Sequence, residues 1–418
     1  MLKHTGFRLG LLGLFLCAAS VIPALAADGI PVGILHSLTG TMAFSEKPVV
    51  EATLLAIEEI NQAGGVLGEP IIPVVRDGAS NWDVFASEAT DLITKDHVAV
   101  VFGCWTSASR KTVKPVFEHY NHLLFYPVQY EGLEQSPNIV YTGAAPNQQI
   151  IPAVKWSLDN LGRRFYLVGS DYVFPRAANA IIRDQVTSLR GEILGEQYIP
   201  LGSRDVKAVI DEIVKRQPDV ILNTINGDTN IEFFKALRAA GITPEKIPTV
   251  SFSIAEPELQ AMGLSELEGD YAVWNYFQSV EHPANHRFIE HFKAKYGRTR
   301  VVSDPMEAAY VGVYLWAQAV RQAKSTDVAV VRKAISGQVM DAPEGLIFID
   351  PATHHTWKQV RVGRIRNDLQ FDIVWETSRP FRPIPYPLYR SKGAWQLFLD
   401  RLYFGWGNHW AKPAESGP

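Results

Sequence analysis

Two short apolar stretches of this chain lead into polar and aromatic side chains that could hold a small molecule. Residues 98–102 are followed by Trp105 and Ser107, and residues 123–127 contain Tyr126 near their end. In open parallel α/β sheets, ligands bind outside the carboxyl ends of the strands, so these side chains predict one wall of a pocket. The candidates on this wall are Trp105, Ser107, Tyr126, Val128, Gln129 and Tyr130.

Five later residues are candidates for the opposite wall, because they too follow predicted strands. They are Asp171, Tyr172, Asn226, Asp228 and Glu256. Their carboxylates, amide and hydroxyl offer hydrogen-bond acceptors and donors, and the rings of Trp105, Tyr126 and Tyr172 can stack on a planar ligand. A neutral amide needs both kinds of partner, because a buried polar group left unpaired costs about 1–3 kcal/mol.

Several candidates also have a purely structural interpretation. Ser107 precedes a helical pattern and is predicted to be its N-cap, with the neighbouring backbone amides facing the pocket. Asp228 could cap the helix that begins at Thr229. Glu256 could cap a helix at Pro257 or reach the pocket from the opposite wall. Aromatic residues belong more often to a core than to a pocket, and only their place beside polar strand ends favours binding.

The sequence offers little for catalysis. It contains no G-x-S-x-G, H-E-x-x-H or G-x-x-x-x-G-K-[ST] motif, and His354 and His355 have no third metal ligand at a suitable spacing. Cys104 is the one nucleophile to weigh, and without an identifiable base it is expected to be a small buried residue below the pocket. The sequence predicts a binding protein without metal or cofactor, and the enzymatic alternative is a secreted amidohydrolase that uses Cys104.

The first residues have the pattern of a secretory signal peptide. A basic start and an apolar run over residues 9–22 lead to a small-x-small site that ends at Ala26, which predicts a signal peptide of residues 1–26. The run is too short and too rich in Gly and Ala for a good membrane span. A lipoprotein signal at Cys17 is the alternative, but Leu16 stands where a small residue would be needed. We therefore expect export to the periplasm.

The charge balance argues against nucleic acid as a partner. The whole chain has a formal net charge of −4, and the leader carries two of its 40 basic residues and none of its 44 acidic ones. The mature chain is thus slightly more acidic, without an electrostatic footprint for nucleic acid or anionic lipid. Cys104 is the single cysteine outside the leader, so no internal disulfide is possible and stability must come from packing.

Apolar and amphipathic stretches alternate along the chain in two modules, as expected for doubly wound parallel sheets. In the first module the pattern predicts strands 30–38, 71–76, 98–102 and 123–127 and helices 48–62, 83–95 and 107–119. In the second module it predicts strands 165–169, 193–199, 219–225 and 249–254 and helices 175–189, 205–216 and 229–240. A connection rich in Pro and Gly at 143–149 separates the modules.

Several segments resemble one known family. They read GCWTSASRK, LLFYPVQYEG, SPNIVYTGAAPNQ, GSDYVFPR, NTINGDTN and WNYFQSV. These segments are similar to the substrate-binding protein of bacterial urea ABC transporters and its short-chain-amide-binding relatives. That group resembles the type I periplasmic binding proteins, in the branched-chain amino acid binding class. The likeness covers roughly residues 30–385. The chain departs from the family at Leu222-Asn223-Thr224, where Ser-Thr is expected, at Phe174, where a tyrosine is common, and in its long C-terminal tail.

The resemblance implies an α/β fold of two doubly wound parallel-sheet lobes joined by a three-segment hinge. Lobe 1 would comprise residues 27–147 and 279–350, and lobe 2 residues 148–278 and 351–385. Helices 284–296 and 305–324 would return to lobe 1, and strands 358–366 and 371–375 would complete lobe 2. Residues 386–418 would form a tail, rich in Pro and aromatic residues, that either packs on its own lobe or docks on a partner.

The resemblance also implies a function. Such a protein captures urea or a short-chain amide between its lobes and delivers it to the membrane subunits of an ABC permease. One alternative is an exported sensor component that presents its closed form to a receptor kinase. Another is a carrier of branched-chain amino acids, which would need a clamp for a carboxylate and an ammonium group. The aromatic crowding at Trp105, Tyr126 and Tyr172 argues against such a clamp.

Overall fold

The computed structural model describes residues 1–2, 29–263 and 267–413. The predicted signal peptide and its cleavage site lie outside the described residues, apart from Met1 and Leu2. None of the described helices is both long and apolar enough to cross a membrane. The described chain forms two α/β lobes, each built around its own sheet, and a C-terminal segment.

Lobe 1 is built on a five-stranded parallel sheet. Its strands are β1 (Ile30–His36), β2 (Ile71–Asp77), β3 (Val101–Gly103), β4 (Leu124–Tyr126) and β5 (Ile139–Tyr141), in the order β2-β1-β3-β4-β5. The helices that connect the first four strands are α1 (Ala43–Gln62), α2 (Trp82–Thr94) and α3 (Ser107–His119). Phe102 of β3 lies opposite Phe125 of β4, so the carboxyl ends of these two strands lie side by side.

Lobe 2 is built on a seven-stranded mixed sheet. The strands are β6 (Arg164–Ser170), β7 (Glu192–Ile199), β8 (Val220–Thr224), β9 (Thr249–Ser251), β10 (Tyr271–Trp274), β14 (Arg361–Ile365) and β15 (Phe371–Glu376). Its helices are α4 (Ile150–Asn160), α5 (Val173–Ser188), α6 (Lys207–Arg216), α7 (Thr229–Ala239) and α8 (Glu256–Met262). The strand order is β15-β14-β10-β9-β8-β6-β7.

The predicted α/β class with parallel-sheet lobes is confirmed, with one refinement at the edge of lobe 2. Strand β14 runs antiparallel to β10, and β15 runs antiparallel to β14. A short turn joins β14 to β15, and only antiparallel strands can be joined in that way. The other five strands of this sheet pair in parallel, as the alternation of strands and helices predicts.

Three connections join the lobes in the part of the chain that the structure describes. The first leads from β5 into α4. The second leads from β10 into helices α9 (Pro283–Tyr296) and α10 (Asp304–Ala323), which pack on α1 of lobe 1. The third follows α11 (Val328–Ile335) and the antiparallel strands β11 (Val339–Ala342), β12 (Gly345–Ile349) and β13 (Thr356–Trp357), and it enters β14. This is the chain path that a three-segment hinge predicts.

Helices α1 and α4 differ from the sequence-based expectation. Helix α1 begins at Ala43 rather than at Pro48, which lies inside the helix. Proline is typical of the first helical turn, so it makes an interior position read as a helix start. Helix α4 is not predicted at all, since its own Pro152 and its place after a Pro- and Gly-rich stretch read as a connection.

The C-terminal tail contains a helix, α12 (Lys392–Gly405), that the sequence does not predict, because its aromatic residues show little regular alternation. Trp395 and Leu399 of α12 are buried against lobe 2, beside α5. Arg390 forms a bidentate ion pair with Asp184 of α5, at 2.6 and 2.7 Å. The helical part of the tail therefore packs on its own lobe, as the first of the two sequence interpretations expects.

Candidate ligand-binding cleft

Side chains from the strand ends of the two lobes meet between the lobes. Several hydrogen bonds cross this interface. They run from Trp105 Nε1 to Asn226 Oδ1 at 3.4 Å, from Gln129 Nε2 to the Phe252 carbonyl at 2.8 Å, and from the Thr41 hydroxyl to Asp228. Candidates from the two predicted walls are therefore neighbours, and the interface between the lobes is the place where a ligand would touch both.

The start of α3 shapes the lobe 1 wall. Thr106 is the N-cap residue, and its hydroxyl accepts from the Ser109 N–H at 3.0 Å. The prediction that Ser107 caps this helix is therefore wrong by one residue. Ser107 is the first residue of α3, and its hydroxyl donates to the carboxylate of Glu131. This bond ties the helix to the irregular segment 127–138 that follows β4.

Arg110 and Lys111 of α3 are buried, and each is paired with acidic side chains. Arg110 donates to Glu134 at 2.9 Å and to Glu131 at 3.3 Å. The ammonium group of Lys111 lies 2.9 Å from Glu134. Burial alone would raise the pKa of the Glu134 carboxyl, but the charges of Arg110 and Lys111 outweigh it and hold that pKa well below its usual range. Two positive and two negative charges thus balance within this wall.

This charge network is not predicted from the sequence. A signal for it exists, because cations in the first turns of a helix are unfavourably placed against the helix dipole and call for acidic partners. Arg110 and Lys111 occupy such positions in α3. Their partners Glu131 and Glu134 lie in a segment without regular periodicity, so the sequence does not show which acidic residues fold against the helix.

Tyr126 and Tyr130 support the wall from within lobe 1. The Arg110 guanidinium lies over both rings, 4.7 and 4.4 Å from their centroids. The Tyr126 hydroxyl donates to the backbone carbonyl of Trp105 at 2.6 Å. The Tyr130 ring stacks on His355, with 5.7 Å between the ring centroids. The Tyr126 hydroxyl thus stabilises the backbone of Trp105, and the Tyr130 ring packs against the Arg110 guanidinium.

Val128 and Gln129 continue this wall towards lobe 2. Val128 is buried against Gly143, where an added Cβ would lie 2.1 Å from the Val128 carbonyl carbon, so only glycine permits the approach. The Gln129 amide also reaches the hydroxyl of Ser253 at 3.1 Å. Its Oε1 atom is buried and has no hydrogen-bond partner among the described residues. An unpaired buried oxygen of this kind can be satisfied by a ligand N–H.

Tyr172 is the aromatic residue that lobe 2 contributes to the predicted site. It lies between β6 and α5, two residues after the last residue of β6, and is 1% exposed. Burial raises the pKa of its hydroxyl well above the usual value, and Tyr126 and Glu131 of lobe 1 add to the rise. The hydroxyl is therefore near the lobe 1 wall, and it makes no hydrogen bond to any residue that the structure describes.

The two aspartates of the predicted site have partners in the protein. Asp171 forms an ion pair with Arg176 of the same lobe, at 2.7 Å. Asp228 occupies the N-cap position of α7, but its side chain makes no capping hydrogen bond. It accepts instead from Thr41 of lobe 1. The capping interpretation of Asp228 is therefore wrong, and its carboxylate links the two lobes.

Glu256 lies at the second connection between the lobes. It is the first residue of α8 and makes no capping bond, so the capping interpretation is wrong here as well. One carboxyl oxygen accepts from the Gln278 N–H at 2.7 Å. Burial raises the pKa of Glu256 to about 8, and the nearby Glu258 and Asp304 act in the same direction. The structure places Glu256 beside the second connection between the lobes.

Cys104 is fully buried at the end of β3. Burial raises the pKa of its thiol well above the usual value, and the charge of Glu46 adds to the rise. The thiol therefore stays protonated near neutral pH, whereas a nucleophilic cysteine must reach its thiolate form. The expectation of a small buried residue is confirmed.

The C-terminal segment after α12 closes one side of the interface. The Val173 N–H donates to the Trp410 carbonyl at 2.9 Å, and the Lys412 N–H donates to the Asp171 carbonyl at 3.1 Å. The Lys111 ammonium group of lobe 1 lies 5.0 Å from the centroid of the Trp410 ring. Residues 410–412 are therefore held on lobe 2 and also touch lobe 1.

One cavity lies at the lobe interface, and a second lies away from it. One, of about 470 Å³, opens at the lobe interface. It is lined by Thr41 and Trp82 of lobe 1, Asp171 and Leu201 of lobe 2, and His409, Ala411 and Lys412 of the tail. The other, of about 730 Å³, is a mainly apolar groove on lobe 2 beside α4, and it contains none of the predicted site residues. The unpaired polar groups mark the lobe interface as the candidate site.

Two α/β lobes with buried polar groups at their facing strand ends form the type of cleft in which binding proteins hold small ligands. A family model described as a periplasmic binding protein domain matches residues 30–392, and the chain belongs to that family.

Two curated proteins are similar to this chain in sequence. Leu/Ile/Val-binding protein homolog 6 of Brucella melitensis is 23% identical over 357 residues, which are 84% of this chain and 90% of that protein. Limonene hydroxylase of Geobacillus stearothermophilus is 33% identical over 124 residues, 30% of this chain, and the match spans only 23% of that protein.

Two solved structures illustrate the shared fold. An ABC transporter solute binding protein from R. palustris in complex with 4-hydroxybenzoate has a TM-score of 0.77 and 21% identity, over 84% of this chain and 97% of that one. The branched-chain amino acid transporter substrate binding protein of Streptococcus pneumoniae in complex with isoleucine has a TM-score of 0.74 and 20% identity, over 84% and 100%. At these identities the likeness establishes the fold.

Proposed function

We propose that this protein is the exported solute-binding component of an ABC transporter, and that it holds urea or a short-chain amide between its lobes. In this proposal residues 1–26 direct export, and the membrane subunits of the permease recognise the closed form. Membership of the periplasmic binding protein family supports the role in binding. Similarity in fold to ABC transporter solute binding proteins supports the role in transport.

The pairing of Arg110 is the observation that carries the choice of ligand. A ligand carboxylate needs a cation or a set of N–H donors. Arg110 and Lys111 are already paired with Glu131 and Glu134. Breaking a buried pair to free the guanidinium costs about 3–5 kcal/mol, because a buried charge is left uncompensated. An uncharged amide needs no such release.

The unpaired groups at the interface suit an amide. Gln129 Oε1 can accept from a ligand N–H. The Tyr172 hydroxyl can donate to a ligand carbonyl or accept from a second N–H. The rings of Trp105 and Tyr172 are both almost fully buried at the interface, and they offer flat surfaces to a planar molecule.

A carboxylate ligand is the second candidate. Similar folds hold 4-hydroxybenzoate and isoleucine, and the aromatic side chains of this cleft would pack well on a benzoate ring. To bind such a ligand, Arg110 would have to exchange Glu131 for the ligand carboxylate.

Binding would act by shifting an equilibrium between open and closed arrangements of the lobes. A ligand that touches both lobes binds the closed arrangement more tightly and so increases its population. The interlobe bonds of Trp105 and Gln129 belong to this closed arrangement.

A titration panel tests the proposal. Calorimetry and thermal shift with urea, acetamide, formamide, leucine, 4-hydroxybenzoate and a polyamine should give heat and stabilisation with the amides alone. Urea has four heavy atoms, and at about −1.5 kcal/mol per atom its binding free energy is about −6 kcal/mol, a dissociation constant on the order of tens of micromolar. Absence of any amide signal at millimolar concentration, or tighter binding of a carboxylate, would refute the proposed ligand.

A further inference from the structure

Glu46 lies where α1 of lobe 1 meets lobe 2. It belongs to the first turn of the helix. Just before it, the Thr41 hydroxyl donates to Asp228 of lobe 2. The turn that contains Gly227 packs so closely on this helix start that an added Cβ would lie 3.0 Å from Thr41 Oγ1 and 3.3 Å from the sulfur of Met42. Glu46 is therefore at the lobe interface, although it is remote in sequence from the predicted site.

One oxygen of the Glu46 carboxylate is held firmly and the other has no partner. Oε2 accepts from the backbone N–H of Ser37 at 2.8 Å and lies 2.9 Å from Nδ1 of His36. Oε1 is buried and has no hydrogen-bond partner among the described residues. The side chain is 1% exposed, so bulk water does not solvate it. A fixed, buried and unpaired carboxylate oxygen is a strong hydrogen-bond acceptor that awaits a donor.

The negative charge of Glu46 acts on groups beside the cleft. Its charge adds to the burial that raises the pKa of Tyr172 in lobe 2, and it acts in the same way on Cys104 at the end of β3. The nearby cation Arg110 is paired with Glu131 and Glu134 instead. Arg110 is therefore not an ion-pair partner of Glu46.

We infer that Glu46 is a specificity-determining residue of the cleft, whose free oxygen accepts an N–H of the ligand and whose charge excludes ligands that carry a carboxylate. The inference rests on the proposed function and deepens it. It narrows the ligand to a molecule with N–H donors that point towards β1, such as the amino groups of urea or the NH₂ of acetamide. It also explains how the site would separate acetamide from acetate, which have nearly the same shape.

Glu46→Gln gives the sharpest test, with acetamide and acetate as the probes. The glutamine oxygen can still accept from Ser37, but its NH₂ then faces the ligand NH₂, donor against donor. We expect the wild type to bind acetamide at least tenfold more tightly than acetate. In the variant, acetamide and urea should bind at least tenfold more weakly and the preference over acetate should largely disappear. Glu58→Gln, an exposed position of the same helix that pairs with Lys295, is the matched control and should bind as the wild type does.

Glu46→Asp keeps the test decisive if the glutamine variant does not fold. Aspartate retains the negative charge, but its side chain is shorter, so the free carboxylate oxygen lies farther from the ligand. Urea should therefore bind more weakly, while acetate stays excluded. If the wild type binds amides and Glu46→Gln binds them equally well with the same preference over acetate, the role of Glu46 is overturned and the proposed function stands. If a folded variant loses only thermal stability, Glu46 is structural and the inference fails. If the wild type binds no amide, both proposals fail together.

Discussion

Tyr172 and Tyr126 are both buried beside the lobe interface, but their hydroxyl groups differ in hydrogen bonding. The Tyr126 hydroxyl donates to the Trp105 carbonyl at 2.6 Å. The Tyr172 hydroxyl has no partner among the described residues. The first hydroxyl therefore stabilises lobe 1, and the second is available to a ligand.

We predict that Tyr172→Phe lowers the affinity for urea and acetamide roughly five- to tenfold, the equivalent of about one lost hydrogen bond. The melting temperature of the ligand-free protein should hardly change, because no bond within the protein is removed. Tyr126→Phe is the matched control, and it should lower that melting temperature by an amount equivalent to about 1 kcal/mol. Calorimetric titration and thermal unfolding measure both effects. Equal affinity of Tyr172→Phe and wild type would remove this hydroxyl from the site.

Much of the lobe 1 wall can be predicted at the level of single residues, whereas its charges cannot. Trp105 lies two residues after β3 and Gln129 three residues after β4, and a place just beyond an apolar strand is enough to predict that they lie at the interface. The role of Glu131 depends on Arg110, which lies on another element and becomes its partner only when segment 127–138 folds against α3. Glu46 is not predicted for a different reason. Pro48 is typical of a first helical turn, so the sequence predicts a helix that starts two residues after Glu46.

Acidic residues of α8 and α10 are buried beside the second connection between the lobes. Glu256, Glu258 and Asp304 are all buried there. Burial is the largest cause that raises their pKa values, to about 8, 7 and 6. A group that binds its proton more tightly in the folded than in the unfolded state stabilises the fold at low pH, and this contribution is lost as the pH rises.

For Glu256→Gln we predict a pH-dependent gain in stability. Between about pH 5 and 8 the unfolded state releases the Glu256 proton, since an ordinary glutamate has a pKa of about 4.3, while the folded state keeps it. Wild-type stability should therefore fall across this range, and the variant, which has no such proton, should lose less. Its melting temperature relative to wild type should rise by a few degrees from pH 5 to pH 8. Glu290→Gln, an exposed position of α9, is the control and should show no such trend. Parallel melting curves for Glu256→Gln and wild type would contradict the assignment.

Residues 406–413, called the strap below, follow α12 and are held on lobe 2. The aromatic residues of α12 anchor the strap there, and two backbone hydrogen bonds hold residues 410–412 beside Asp171 and Val173. The contact between the Lys111 ammonium group and the Trp410 ring crosses to lobe 1. A contact that exists only in the closed arrangement stabilises that arrangement and slows ligand release.

A chain that ends at Gly405 should release its ligand roughly two- to fivefold faster than the full-length chain, since a cation–π contact of this kind contributes about 0.5–1 kcal/mol. The ligand-free melting temperature should stay close to that of wild type, because α12 and its buried Trp395 are retained. A chain that ends at Pro413 is the control, since it keeps the strap. Stopped-flow displacement of bound urea or acetamide measures the rates. Identical rates for the two truncated chains would show that the strap does not restrain opening.

At the scale of the whole molecule, polar contacts join the two lobes at several points. Trp105 and Gln129 contact lobe 2 at the candidate site, and Thr41 contacts it at Asp228. The Thr41 bond differs from the others because Thr41 lies outside the predicted walls. It can therefore bias the equilibrium between open and closed arrangements without any preference for one ligand over another.

Thr41→Val should weaken the binding of every ligand by a similar factor. The substitution removes the hydrogen bond to Asp228 and changes the side-chain shape little. A hydrogen bond to a charged group contributes about 1.5–3 kcal/mol, so the loss should be roughly tenfold or more, and equal for urea and acetamide. Small-angle scattering should show a smaller ligand-induced compaction at a given ligand concentration. The control is Thr39→Val, whose hydroxyl donates to Asp77 within lobe 1 at 2.8 Å and which should leave affinity unchanged. If Thr41→Val weakens urea but not acetamide, Thr41 contacts the ligand itself, and the interlobe bond is not the origin of the effect.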